Sequence, residues 1–390
     1  MLDADATVRL SDETDDWAKR NNIKGFDLLY ERYIRGRPRP NVRFLLQLGD
    51  LIYADVPRFG GPFVERYRKL YRNLFASASF RRAVASIPMI GIYDDHEVKN
   101  NWAGLTEDEA TRSAVQPGSK AWYEYVGAGN PDPLDAGENY YTFRYGNEAA
   151  FFVLDTRKYR VASKGFGLDG EDDEDWDQLP TSGQPFKTAL GQQQKEALLR
   201  WMGAVNSTAT FKFVVSSVPF TSLWGGIDGK VDSWAAYLAE REELLEVMQY
   251  VPNLVVLSGD RHEAAMIGLR AQNSPKPDSY PIIEMSTSPL SMFYVPLIRT
   301  LSHDNGRGPT GQEKILKYFP DGNFKWTDIE VDTRRPDTPQ LIFRLWIDGK
   351  MAWKVKYVGQ PVKVGEMRTV ASGVVKSLRE LLGWRPRRWF

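Results

Sequence analysis

No cysteine occurs in the 390 residues. Disulfides, thiolate zinc sites and cysteine nucleophiles are thereby excluded, and redox compartment leaves no mark on the chain. Histidine is almost as scarce: His96, His262 and His303 are the full set. A metal centre built from this chain must lean on carboxylates, amides or tyrosine. Net charge is missing too, because 51 basic side chains balance 51 acidic ones. That balance gives no pull toward nucleic acid or an anionic membrane. No apolar run reaches the roughly 18 residues of a membrane-spanning helix. The acidic opening Met1–Asp16 is unlike a signal or transit peptide, so localisation stays unassigned. What the chain does have is aromatic bulk, with 12 Trp and 18 Tyr, and length for one large domain or two ordinary ones.

Short apolar runs bounded by turn residues suit buried strands. Val42–Leu48 is one, ending in Gly49-Asp50, and Ile87–Tyr93, Ala149–Leu154, Phe211–Val218 and Leu254–Leu257 follow. Between them lie helical patterns. A helix is expected through the GFDLLYERYI segment from Gly25. Another is expected over Phe63–Ala85, where Tyr67, Leu70, Tyr71 and Leu74 recur at three-four spacing. Leu190–Val205 and Trp234–Tyr250 read likewise. Alternation of this kind predicts an α/β layered fold. After Pro281 the pattern changes, and Asp348-Gly349 between Leu341–Ile347 and Met351–Tyr357 predicts a hairpin. Residues 1–24 read as a lead-in, 25–360 as the domain and 361–390 as a basic tail. Val370, Val374, Leu378, Leu381 and Leu382 give that tail one apolar face, for packing on the body or for membrane contact. The acidic Asp169–Asp177 segment reads as a solvated insertion, since it lacks the spacing of a calcium loop.

Polar clusters stand at the carboxyl ends of the expected strands, where open α/β sheets hold their ligands. In the first, Asp50 either caps a helix or bridges two cations. Tyr53, three residues on, offers a phenolate that favours a trivalent ion such as ferric iron. The second is Asp94-Asp95-His96-Glu97. Adjacent buried carboxylates are costly without cations or hydrogen bonds to offset them. Asp95 is assigned to a metal and His96 to the substrate phosphate or the leaving group. Asn100 and Asn101 serve as ligands or as supports for ligands. On the plainer reading Asp94 holds the turn and Glu97 lies on a surface helix. In the third cluster Asp260 and His262 alternate, so an extended segment would turn both to one side as metal ligands, with Arg261 facing solvent or phosphate. Arg157 reads as a bidentate phosphate clamp or as the partner of Asp155. His303 reads as an ordinary surface residue.

The blocks LGDLIYADVP, YDDHEVKNNW, FFVLDTRKYR, ALGQQQ, VVSSVPFT, LSGDRHEAA and STSPLSMFY resemble, in that order, the PhoD-like alkaline phosphatases. These belong to the calcineurin-type metallophosphoesterase superfamily, and the resemblance is nearest the fungal-type subgroup. It covers Gly25 to Tyr357. It implies a four-layer αββα sandwich, and hydrolysis of a phosphate mono- or diester by a metal-activated water. The wider superfamily carries Asn where Asp95 stands, and His where Asp260 stands. It also has a His ligand between the positions of His96 and His262, which is absent here. Oxygen donors thus replace nitrogen, which implies Fe³⁺ and Ca²⁺ rather than zinc. The family also begins with a strand whose end supplies a further ligand, often Cys. Residues 1–24 show no apolar run of that kind, and neither Asp3 nor Asp5 follows one. The expectation is a chain lacking that strand, active or else a decayed, non-catalytic metal-binding relative. Oligomeric state is left open.

Overall fold

The computed structural model describes residues 23–36, 40–56, 59–162, 187–225, 229, 231–272, 278–290, 299–302 and 313–362. Expectations for the lead-in with Asp3 and Asp5, for Asp169–Asp177, for His303 and for the tail beyond Val362 lie outside them.

The centre is a seven-stranded sheet ordered β3-β4-β5-β6-β8-β7-β9. Its parallel core is β4 (Ala149–Val153), β5 (Phe211–Val215), β6 (Leu254–Ser258) and β8 (Ile282–Thr287). Antiparallel strands flank it: β3 (Tyr141–Tyr145) on one side, β7 (Ala264–Leu269) and β9 (Glu313–Phe319) on the other. Every residue of β4, β5 and β6 is buried, as expected of strands covered on both faces. The period of two divides them cleanly. Phe152, Val214 and Val256 pack with Leu198, Met202, Leu244 and Met248, which come from α5 (Gly191–Val205) and α6 (Leu238–Met248). Phe151, Phe213, Val255 and Leu257 point the other way, into a second core.

That second core is closed by two separate sheets. One pairs β1 (Leu45–Gln47) with β2 (Met89–Gly91) in parallel. The other is an antiparallel meander of β10 (Lys325–Asp332), β11 (Gln340–Ile347) and β12 (Lys350–Val358). Asp348 and Gly349, with φ 51° and 79°, form the expected turn. Outside lie α1 (Lys24–Tyr30), α2 (Val64–Ala76), α3 (Ala78–Val84) and α4 (Glu109–Tyr125). The layers therefore run helix, sheet, sheet, helix. The Phe63–Ala85 helix is in fact two, broken at Ser77, whose hydroxyl caps α3 by accepting from Phe80 N.

The sequence pattern misses α4, because Pro117 and Gly118 read as breakers. Gly118 is there for close approach: a Cβ on it would sit 3.0 Å from the Glu97 carbonyl oxygen. Among the described residues, a cavity of about 930 Å³ lies between the two sheets. Its walls come from β1 (Leu46), β10 (Ile329), α1 (Leu29) and the inner face of the large sheet (Phe151, Phe213).

Phe213 lies at the middle of the inner core, its ring stacked 4.8 Å from Phe151, which stacks 4.4 Å from Phe143. Phe213→Ala should cost about 3–5 kcal/mol in urea unfolding. A cost well under 1 kcal/mol would mean that the two sheets do not share this core.

Candidate metal centre

Asp50, Asp95, Arg157 and Asp260 all follow strand carboxyl ends, of β1, β2, β4 and β6. The first two loops touch. Gly49 has φ 105°, and a Cβ on it would lie 2.3 Å from the Asp94 Cβ. Only glycine lets the loops approach so closely. Asp50, Asn101, Asp260 and His262 are all left-handed, with φ of 54°, 57°, 74° and 57°. The 260–262 segment is thus a tight turn and not the extended stretch expected from alternation. Such conformations cost energy in non-glycine residues and concentrate at functional sites.

The turns converge. Oxygens of Asp50, Asp94, Asp95 and Asp260 all lie within 4.8 Å of one another, and Asp50, Asp95 and His96 form an overlapping group. The Tyr53 hydroxyl is 3.3 Å from Asp50 Oδ2 and 3.3 Å from His262 Nε2. Three carboxylate oxygens here, Asp50 Oδ1, Asp94 Oδ2 and Asp260 Oδ2, are buried without a hydrogen-bond partner. Arg261 offers Asp260 only a 3.7 Å ion pair. Burial, then Asp95, pushes Asp50 well above the usual carboxylate range. Burial, then Asp232, does the same to Asp260. Burial raises Asp94 to about 6 against the pull of Arg157. Asp95 goes down instead: burial opposes this, but His96, Arg157 and the Asn101 N–H outweigh it. Unpartnered, mutually repelling oxygens from separate loops fit a cation site, and the donor set is hard.

His96 stands beside this group. Its Nδ1 is 2.8 Å from Asp55 Oδ1, so Nδ1 carries the proton and Nε2 is left for other work. Its ring lies 4.1 Å from that of Tyr53. Burial pushes His96 down, yet Asp95, Asp50 and Asp55 together raise it to about 11. Burial lowers His262 to about 4, keeping it a neutral donor. Asn100 and Asn101 contribute backbone N–H groups, to Asp55 Oδ2 at 2.6 Å and Asp95 Oδ2 at 2.7 Å.

Arg157 is not where a substrate clamp would have to be. It is 0% exposed. Its guanidinium donates to Asp94 at 2.6 Å, to both Asp232 oxygens at 2.5 and 2.9 Å, and to the Trp102 carbonyl. Asp155 instead receives the Arg157 backbone N–H and the Tyr93 hydroxyl. Glu97 is not on a surface helix either. It is 1% exposed and bonded to backbone N–H groups of the first loop. The ALGQQQ and VVSSVPFT blocks also acquire reasons. Gln194 clasps both backbone groups of Asp155 at 2.8 Å, and Ser217 donates to Asp94 at 2.7 Å. Sequence reading missed Asp55 and Asp232. Asp55 had a signal, lying in the same loop as Asp50. Asp232 had none, since no strand precedes it.

Asp50, Asp94 and Asp260 have raised folded pKa values. Each contributes fully below its unfolded value near pH 4 and loses that contribution as pH rises through the folded value. His262, being lowered, runs the opposite way between about pH 4 and 6.5. Three carboxyls outweigh one imidazole. Chelator-treated protein should therefore show a calorimetric midpoint that falls from about pH 4.5 to about 6.5. Added Mn²⁺ should raise the midpoint more at the higher pH, because ligands must be deprotonated to bind. An equal increment at both pH values would count against a carboxylate site.

The PhoD-like phosphatase family model matches residues 21–335. Alkaline phosphatase D of Bacillus subtilis (strain 168) is 30% identical over 215 residues, 51% of this chain and 35% of the relative. The match thus spans about a third of that curated relative's length. A solved structure of PhoD superposes with a TM-score of 0.58 at 19% identity, covering 87% of this chain and 67% of the other. That likeness bears on the fold alone, a layered α/β sandwich. With the family model covering residues 21–335, most of its length, the chain belongs to the PhoD-like phosphatase family.

Proposed function

We propose that this chain hydrolyses phosphate esters in the manner of an alkaline phosphatase, with two cations held between the carboxylates. The observation that carries this reading is the group of four carboxylates within 4.8 Å, three of whose oxygens are buried and unpartnered. Asp50 reaches both sides of it. On one side is Tyr53, whose hydroxyl also meets His262 Nε2; on the other are Asp95 and Asp260. Burial, then Asp50, raises the Tyr53 phenol well above its ordinary value. Only a strongly polarising ion would make it a phenolate ligand, which favours Fe³⁺ there. The oxygen-rich side suits Ca²⁺, with Asn100 and Asn101 as further ligands or supports. Cations at these positions supply charge neutralisation for phosphoryl oxygens and a water acidic enough to attack near neutral pH.

The protein's own groups supply the rest. Asp55 fixes the His96 ring through Nδ1–H, so Nε2–H faces the ester. As the bond from phosphorus to the leaving oxygen breaks, His96 gives that oxygen its proton. The attacking water leaves its oxygen on phosphorus and releases a proton to solvent, and His96 takes one back from solvent before the next turnover. Arg157 stays out of contact with substrate and balances the charge of Asp94 from behind.

Asp50→Ala should lose metal content and hydrolysis of p-nitrophenyl phosphate together. His96→Ala should retain metal while turnover falls about 10²- to 10⁴-fold. Wild-type rates in both variants would refute the assignment. Bis-p-nitrophenyl phosphate assayed alongside separates diester from monoester preference. Bound metal with turnover of neither ester would favour a non-catalytic relative.

A further inference from the structure

The reading above leaves Glu97 without a role, although its surroundings are among the most specific in the molecule. Its carboxylate accepts four backbone N–H groups. Oε1 takes Leu51 N at 2.6 Å and Ile52 N at 3.1 Å. Oε2 takes Asp50 N at 3.0 Å and Asp94 N at 2.7 Å. A carboxylate has about four acceptor positions, so Glu97 is saturated and leaves no lone pair for a cation. It is accordingly outside both groups of convergent ligand atoms.

Three of the four N–H groups belong to consecutive residues, one of them Asp50 in its left-handed conformation. The fourth belongs to the loop that carries Asp95. Buried N–H groups must be paired, and a chain turning through left-handed residues cannot pair these three within itself. One side chain therefore holds the Asp50 turn and ties it to the Asp94-Asp95 turn. The spacing of those carboxylates is the spacing of the site. The other end of Glu97 is pinned as well. Its carbonyl lies under Gly118 of α4, where a Cβ would come within 3.0 Å of it and within 2.9 Å of Val98 Cγ2.

We infer that Glu97 is a positioning residue for the metal centre, setting the separation of Asp50 from Asp95 without touching a cation itself. This rests on the metal-binding reading above. The decisive variant is Glu97→Gln. It keeps the shape but replaces one oxygen with an NH₂, so whichever way the amide turns, two loop N–H groups face a donor.

The matched control is Glu240→Gln. Glu240 is likewise buried and clasps a loop, accepting from Thr188 Oγ1 and Ala189 N at 2.7 Å each, but it belongs to neither ligand group. Titration calorimetry with Mn²⁺ on wild-type and both variants, with thermal midpoints of the metal-free proteins, separates positioning from general stability. Glu97→Gln should bind Mn²⁺ about 10- to 100-fold more weakly, while Glu240→Gln stays within about twofold of wild type even if its midpoint drops as far. Equal losses in both variants, or an unchanged affinity in Glu97→Gln, would overturn the inference. If Glu97→Gln does not fold, Gly118→Ala takes its place, since it pushes on the Glu97 backbone and changes no ligand. Weakened Mn²⁺ binding supports the inference, and wild-type binding defeats it. Wild-type protein that binds no Mn²⁺, Fe³⁺ or Ca²⁺ would remove the underlying metal reading first, a result distinct from any difference among variants.

Discussion

Carboxylates repel one another, and here four of them meet within 4.8 Å, two fully and two partly buried. Much of the surrounding architecture can be read as the means of holding them there. Arg157 places a buried positive charge against Asp94 and 3.9 Å from Asp95. Asp232 neutralises the far side of Arg157 and also receives Arg160. Ser217 and the Asn101 N–H take further lone pairs. What remains unsatisfied points inward, and that residue of unpaired negative charge is what a cation would answer. Buried ion pairs of this kind are weak contributors to net stability but costly to break. They are better understood as fixing one arrangement than as making the fold strong.

Chemistry and architecture are joined through the strand ends. Parallel strands carry their loops at a common edge, so β4, β5 and β6 deliver Asp155, Ser217 and Asp260 to one side of the large sheet. The β1–β2 pair brings Asp50 and Asp95 against it. Two sheets packed face to face thus meet at one rim, and the site is the seam. The cavity beside β1 shares walls with that seam, since Asp50, Asp260 and His262 border it along with apolar side chains of both sheets.

Much of this was legible in the chain. Five apolar runs mark β1, β2, β4, β5 and β6, and the polar clusters after them mark the loops that converge. Less was visible where the pattern carries two messages. Pro117 and Gly118 hide α4, because a residue chosen for close packing looks the same in sequence as one chosen to break a helix. β7 to β10 lie where apolar alternation is shallow, so length and pairing were not apparent. Arg157 followed a strand end as a phosphate-binding arginine would, yet its direction is decided by Asp232, which is 75 residues away.

The sequence by itself determined the chemical character of the site: no thiols, three imidazoles, and acidic residues placed after buried strands, hence an oxygen-donor centre. It determined the layered α/β plan for the same reason, since period and punctuation are local properties. Only the tertiary structure decided which carboxylates face one another, which arginine is locked away, and that Glu97 clasps two loops. Those outcomes depend on pairings across tens to hundreds of residues, and local pattern holds no information about what a side chain meets at that distance.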